Sequence, residues 1–176
     1  MGLDQSYTSS GLVVVDRFGQ IVASEICHSK KGETDFQRSW SLYLNILKLV
    51  QKHKIKYLAI EGLAFGKFGN ATRSLAILQG VLVTNLLYLS GDTYCSGLEK
   101  VEIVTPSALK KYATGNGRAD KKQMIKHVPV GILNSWRAEF PEKSINDLAD
   151  AYFLAKKCHT MFMQTKTLIV LRPKSA

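Results

Sequence analysis

Four carboxylates in the 176-residue chain stand where chemistry could use them. Asp4 lies in Gly2-Leu3-Asp4-Gln5-Ser6, read as the middle of a strand spanning residues 2–7. A core-facing acid there costs on the order of several kcal/mol unless it is paired or bound to a cation. Glu61 closes the run Tyr57-Leu58-Ala59-Ile60 and gives way at once to a glycine-bearing loop. Asp147 and Asp150 belong to Ser144-Ile145-Asn146-Asp147-Leu148-Ala149-Asp150-Ala151. Their spacing puts both on one helix face, separated by about 60° at roughly 100° per residue. Ser144 followed three residues later by an acid is also a capping-box pattern, which would employ Asp147 structurally but leaves Asp150 unexplained. Leu148, Ala149, Ala151, Tyr152 and Leu154 make this helix largely apolar, which argues against fully solvated acids. Acids from three separated elements suggest one or two Mg2+ ions, because hard cations prefer oxygen ligands. Two such ions about 3.5–4 Å apart stabilise both the attacking and the leaving oxygen of an in-line phosphoryl displacement. That is nuclease chemistry, and it needs the acids brought together.

The elements that must do so can be read from periodicity. Residues 2–7, Leu12-Val13-Val14-Val15 and Gln20 to Ile26, with Asp16-Arg17-Phe18-Gly19 between the last two, predict an antiparallel meander. From Thr34, the spacing of Phe36, Trp40, Tyr43, Leu44, Leu47 and Val50 predicts an amphipathic helix of about 18 residues facing the core with that stripe. The strand ending at Glu61 follows. Ser74 to Leu89 reads as an apolar helix, Val101 to Val104 as a strand, and Pro106 as the first turn of a short helix. Thr114-Gly115-Asn116-Gly117 is a loop, a helix covers about Asp120 to Lys126, and Ser144 opens a helix to about Met161. A strand reached by a crossover tends to lie beside the first strand, which would put Asp4 and Glu61 at one rim. The expected fold is α/β: a mixed sheet, antiparallel meander plus parallel strands, with helices on both faces, in a single domain over residues 1–176.

Composition narrows the partners. Lys and Arg number 24 against 14 Asp and Glu, a net charge of +10 that attracts polyanions, nucleic acid first among them. Cys27, Cys95 and Cys158 show no CxxC spacing, so neither a disulfide framework nor a zinc site is indicated. No run of eighteen apolar residues occurs and the first residues lack a secretory layout, so a soluble cytoplasmic protein with no membrane partner is expected.

With these residues in place, the chain resembles the RuvC-type Holliday-junction resolvases of the ribonuclease H-like superfamily. The likeness rests on Gly2-Leu3-Asp4-Gln5-Ser6 with Thr8 and Gly11, Ala59-Ile60-Glu61, Gln79-Gly80, Gly115-Asn116-Gly117-Arg118-Ala119-Asp120-Lys121, and Asn146-Asp147-Leu148-Ala149-Asp150-Ala151. The resemblance implies that Asp4, Glu61, Asp147 and Asp150 are the catalytic and metal-binding acids. It implies two Mg2+ ions per site, with Mn2+ able to substitute, and products ending in 5′-phosphate and 3′-hydroxyl. Paired symmetric nicks in a four-way junction imply a homodimer, for which the helix Ser74 to Leu89 is the candidate surface. The location implied is nucleoid-associated, or the host cytoplasm for a viral protein. Two departures stand out. Only three residues precede Asp4, and the tail with Thr167-Leu168-Ile169-Val170-Leu171-Arg172 reads as an added strand or packed extension.

Basic and aromatic residues complete the reading. Seven lysines and arginines fall between Lys100 and His127 against two acids. Lys110, Lys111, Arg118, Lys121 and Lys122 are expected to bind DNA phosphates, Lys110 and Lys121 by resemblance as well. Phe65, Lys67 and Phe68 follow Glu61 closely enough to meet DNA, the rings by stacking on an unpaired base or wedging at a crossover. His28, His53, His127 and His159 are placed by no motif. The competing readings are a ribonuclease H-like enzyme cutting other branched DNA or RNA–DNA hybrids, and a non-catalytic DNA-binding module. An actin-like or sugar-kinase ATPase shares the opening sheet, but such chains usually need two such domains.

Overall fold

A computed structural model of the chain describes residues 1–63, 69–88 and 97–171, with side chains as far as residue 163. Five strands form one sheet: β1 (Gly2–Asp4), β2 (Ser10–Val15), β3 (Ile21–Cys27), β4 (Tyr57–Glu61) and β5 (Lys100–Val104), in the spatial order β3-β2-β1-β4-β5. The first three are an antiparallel meander. Asp16 makes the β2–β3 turn, its Oδ1 accepting from the backbone N–H groups of Phe18 and Gln20 at 2.8 and 2.9 Å. Beyond α1 (Asp35–Lys52), β4 returns parallel to β1, and after α2 (Asn70–Tyr88), β5 returns parallel to β4. Mixed pairing and flanking helices are as the periodicity and crossover spacing predict.

Each face of the sheet is covered. Leu3, Leu12, Leu58 and Ile60 pack under α1 and α2, while Val13, Ala59 and Val104 face the second layer. That layer contains α3 (Pro106–Thr114), α4 (Lys121–Lys126), α5 (Val130–Glu139) and α6 (Ile145–Leu171), with a 3-10 turn at Glu142–Ser144 leading into α6. Short polar side chains close the orphan N–H groups at three helix starts. Thr34 and Gln37 form a capping box on α1, Asp120 and Gln123 another on α4, and Thr105 caps α3.

The helix α6 governs the second layer, because it runs across β1, β2 and β4. It lies closer to the sheet than side chains permit. A Cβ added to Gly2 would overlap the Ala151 carbonyl and the Ala155 amide, and would stand 2.8 Å from the Leu154 Cβ. One added to Gly11 would overlap the Asp147 carbonyl. Both strands therefore carry hydrogen where the helix backbone passes.

Several expectations need correction. β1 ends at Asp4 and does not reach residue 7, so Asp4 terminates its strand. On α1, Phe36 is 68% and Trp40 41% exposed; the buried stripe runs through Ser39, Leu42, Tyr43, Ile46, Leu47, Leu49 and Val50. Ser39 can occupy that stripe because its Oγ bonds the Asp35 carbonyl at 2.7 Å and the Tyr7 hydroxyl at 2.8 Å. α2 begins at Asn70, four residues before Ser74. Pro129 separates α4 from an additional helix, α5, tied to β3 by Trp136 Nε1 donating to Ser24 Oγ at 2.9 Å. Within the tail, residues 167–171 continue α6 and form no strand, while Arg172 lies outside the described residues. Cys27 and Cys158 are buried free thiols, and Cys95 lies outside the described residues. Among the described residues no helix is long and apolar enough to cross a membrane.

Gly11→Ala is expected to lower stability by about 1–3 kcal/mol by forcing α6 off β2. Urea denaturation of the variant and the parent checks it; an unchanged midpoint would mean that the helix has room there.

Candidate active site

Asp4 ends the strand at the centre of the sheet, between Gly11 on β2 and the β4 strand that carries Glu61. Alternation along a strand sends every second residue to one face. Gly2 touches α6, so Asp4, two residues on, turns the same way; Ala59 packs in the α6 layer, so Glu61 does likewise. The first turns of α6 bring Asp147 and Asp150 to this rim. All four acids are partly buried.

The charges interact. Loss of hydration pushes the Asp4 carboxyl well above the usual carboxylate range, and Glu61, Asp150 and Asp147 push it further, while Lys121 opposes them. Glu61 is raised to about 7, by burial first and then by Asp150, with Lys110 and Lys121 acting in the other direction. Asp150 is raised to about 6 by burial, offset by Lys121 and Lys110 and reinforced by Asp147. Asp147 has a fixed partner, its Oδ2 accepting from Ser9 Oγ at 2.6 Å. Among the described residues no three His, Cys, Asp or Glu side chains come close enough to grip an ion where they now stand. Desolvated acids on one rim repel one another when ionised, and a cation would relieve that repulsion. The donor set fits a hard divalent ion: four carboxylates, no sulfur or imidazole, all acting electrostatically on one space.

A family model described as crossover junction endodeoxyribonuclease RuvC matches residues 1–159. The chain belongs to the RuvC family. A RuvC from Ruegeria pomeroyi is 28% identical over 171 residues, covering 96% of this chain and 94% of the relative. One from Thermosipho melanesiensis is 27% identical, covering 88% and 95%. Among solved structures, Thermus thermophilus RuvC in complex with a Holliday junction substrate superposes with a TM-score of 0.68 at 20% identity, covering 94% of each chain. The yeast mitochondrial Holliday junction resolvase Ydc2 gives 0.62 at 15% identity, covering 94% of this chain and 79% of its own. These superpositions agree with the ribonuclease H-like, mixed-sheet architecture.

In this RuvC-family chain the basic residues divide into two groups. Lys110, half-buried on α3, and Lys121, exposed at the start of α4, both act on Glu61 and Asp150. Lys111, Arg118 and Lys122 are exposed neighbours that do not figure among the charges acting on the acids. Phe65, Lys67 and Phe68 lie outside the described residues.

Periodicity and motif left three contributors without a role. Gln5 Nε2 donates to the Glu61 carbonyl at 3.0 Å, Gln79 Nε2 reaches the same oxygen at 3.5 Å, and Ser9 holds Asp147. For Gln5 and Ser9 the available signal was a polar run, Gln5 to Ser10, between two apolar strands, which by itself reads as an ordinary loop, and for Gln79 it was the Gln79-Gly80 pair.

A carboxyl whose native pKa is raised binds its proton more tightly folded than unfolded, so its penalty is absent below the unfolded pKa and grows as pH rises to the folded one. For Asp150 that window runs from 3.8 to about 6. In EDTA, Asp150→Asn is therefore expected to be more stable than the parent by about 1–3 kcal/mol at pH 8, the gap closing towards pH 4. Thermal denaturation across this range checks the sign.

Proposed function

We propose that the protein is a divalent-metal-dependent endonuclease that resolves four-way DNA junctions by paired symmetric nicks. The observation that carries this is the gathering of Asp4, Glu61, Asp147 and Asp150 from three distant segments onto one rim, beside Lys110 and Lys121, in a chain of the RuvC family. Nucleases of this family are metal-dependent; two Mg2+ ions, or Mn2+ in their place, suit the four acids. When bound, such ions activate water and stabilise the charge on the attacking and leaving oxygens.

The chain's own residues do the rest. Asp4, Glu61, Asp147 and Asp150 would hold the ions in their ionised form, which is why their crowding without a cation is unfavourable. Lys110 and Lys121 neutralise the phosphate that enters beside the acids and attract the backbone by a salt-sensitive, sequence-independent force. Lys111, Arg118 and Lys122 extend that field outward along α3, the loop and α4. Water attacks phosphorus in line, the bond to the 3′ oxygen breaks, and the ends left are 5′-phosphate and 3′-hydroxyl. A junction has near two-fold symmetry, so two nicks call for two sites in a homodimer. α2 is the proposed meeting surface: Leu78, Leu82 and Leu86 are turned inward, and Tyr88 stands 76% exposed at its end. The place of action would be the cytoplasm, with the DNA.

Labelled four-way junction, RNA–DNA hybrid and linear duplex, each with Mg2+ or EDTA, test the reading. Junction cleavage in Mg2+ only is expected, and equal cutting of all three substrates would remove the claim of junction selectivity. Asp4→Asn and Asp147→Asn are expected to lose more than about 100-fold in cleavage, beyond the usual effect of an outer-shell change, while binding the junction in EDTA as the parent does. For Lys121→Ala, junction binding should weaken, and the slope of log binding constant against log salt should fall by about 1.

A further inference from the structure

The acids arrive at the rim on three elements, and the segment directly after Asp4 is hydrogen-bonded to the other two. Gln5 is buried, 7% exposed, and its Nε2 donates to the Glu61 carbonyl at 3.0 Å. Its Oε1 is buried with no partner among the described residues. An unsatisfied buried amide oxygen costs stability, and an apolar side chain of similar size would not carry that penalty. What the amide supplies is the donor to Glu61. At the other end of the segment, Ser9 Oγ donates to Asp147 Oδ2 at 2.6 Å, a short charge-assisted bond that leaves the second carboxylate oxygen for an ion.

Between these ends the segment is locked. Ser6 and Ser10 bond each other twice, Ser10 Oγ accepting from the Ser6 N–H at 3.0 Å and donating to its carbonyl at 2.6 Å. The Tyr7 hydroxyl is held by Ser39 Oγ at 2.8 Å and by the Asp35 carbonyl at 3.2 Å. The Arg38 guanidinium lies 4.5 Å over the Tyr7 ring, and Ser29 Oγ donates to the Tyr7 carbonyl at 2.6 Å. A loop pinned this densely can transmit position.

We propose that residues 5–9 are the positioning segment of the metal site: Gln5 sets the Glu61 end of β4, and Ser9 sets the Asp147 carboxylate, both relative to Asp4 at the segment's root. The proposal rests on the metal-dependent reading above and adds to it two positioning residues that do not themselves bind the ion. Partners of this kind orient a ligand before the ion arrives, and losing one typically weakens metal affinity by about 10–100-fold.

The test is Mn2+ binding to the full-length protein without DNA, read from the electron paramagnetic resonance signal of free Mn2+. Gln5→Leu and Ser9→Ala are each expected to weaken binding by about 10-fold or more, and to raise the Mg2+ concentration needed for half-maximal cleavage more than they lower the rate at saturating Mg2+. Melting temperature in EDTA and junction binding in EDTA should stay at parental values or, for melting of Gln5→Leu, rise. Ser9→Thr keeps the hydroxyl and should restore affinity. Parental protein that binds Mn2+ and cuts junctions while both variants bind within about twofold of it overturns the positioning role. Equal loss in Ser9→Thr and Ser9→Ala overturns the role of the hydroxyl. Parental protein that neither binds Mn2+ nor cuts a junction overturns the underlying metal-dependent reading instead.

Discussion

A helix backbone can touch a strand only where the strand carries no side chain, and the site depends on that contact. Gly2 and Gly11 let α6 pass against β1 and β2 with no Cβ between them. Gly11 is also the residue paired with Asp4 across the ladder, and it is the Asp147 backbone that lies over it. The contact that seats the helix thus places its first acid beside the strand's acid. A longer side chain at either glycine would lift the whole start of α6 and carry Asp147 and Asp150 with it.

The second constraint is electrical. Burial removes water from the carboxylates, and crowding on one rim works further against the ionisation of Asp4, Glu61 and Asp150. Two lysines on separate helices offset part of this without neutralising it. The folded chain therefore concentrates acids that resist ionisation inside a protein of net charge +10. A cation bound there would favour the ionised form of these acids, while the basic excess elsewhere favours polyanions. Stability is given up at the rim, and the two apolar layers on either side of the sheet compensate.

Rigidity comes from a polar network that an apolar pattern does not reveal. Tyr7, Ser10 and Ser39 are buried, and each has hydrogen-bond partners. Through Asp35, whose Oδ2 accepts from Ser74 Oγ at 2.5 Å, the same network reaches α2, which also supplies Gln79 to the Glu61 carbonyl. The loop after β1, the start of α1 and the body of α2 form one braced block beneath the acids. Buried polar groups of this kind specify a single arrangement when satisfied, and Gln5 Oε1 is the exception within the block.

The amino-acid order alone determined much of this protein: the meander, the strand ending on Glu61, the capped helices, the mixed sheet and the four acids as candidates. These are local signals, a period of two or of about 3.6 and a short polar side chain at a helix start, and local sequence suffices to produce them. Phe36 and Trp40 follow the apolar period of α1 yet stand outside its buried face, because a satisfied serine can replace an apolar residue in the core. The tertiary structure alone decided which distant groups meet: Gln5 with Glu61, Ser9 with Asp147, Lys110 and Lys121 with the acids, and α6 with two glycines. Among those contacts, that of Ser9 with Asp147 spans 138 positions of sequence. No periodicity encodes them, because they follow from how the sheet, once formed, offers its bare backbone to a helix.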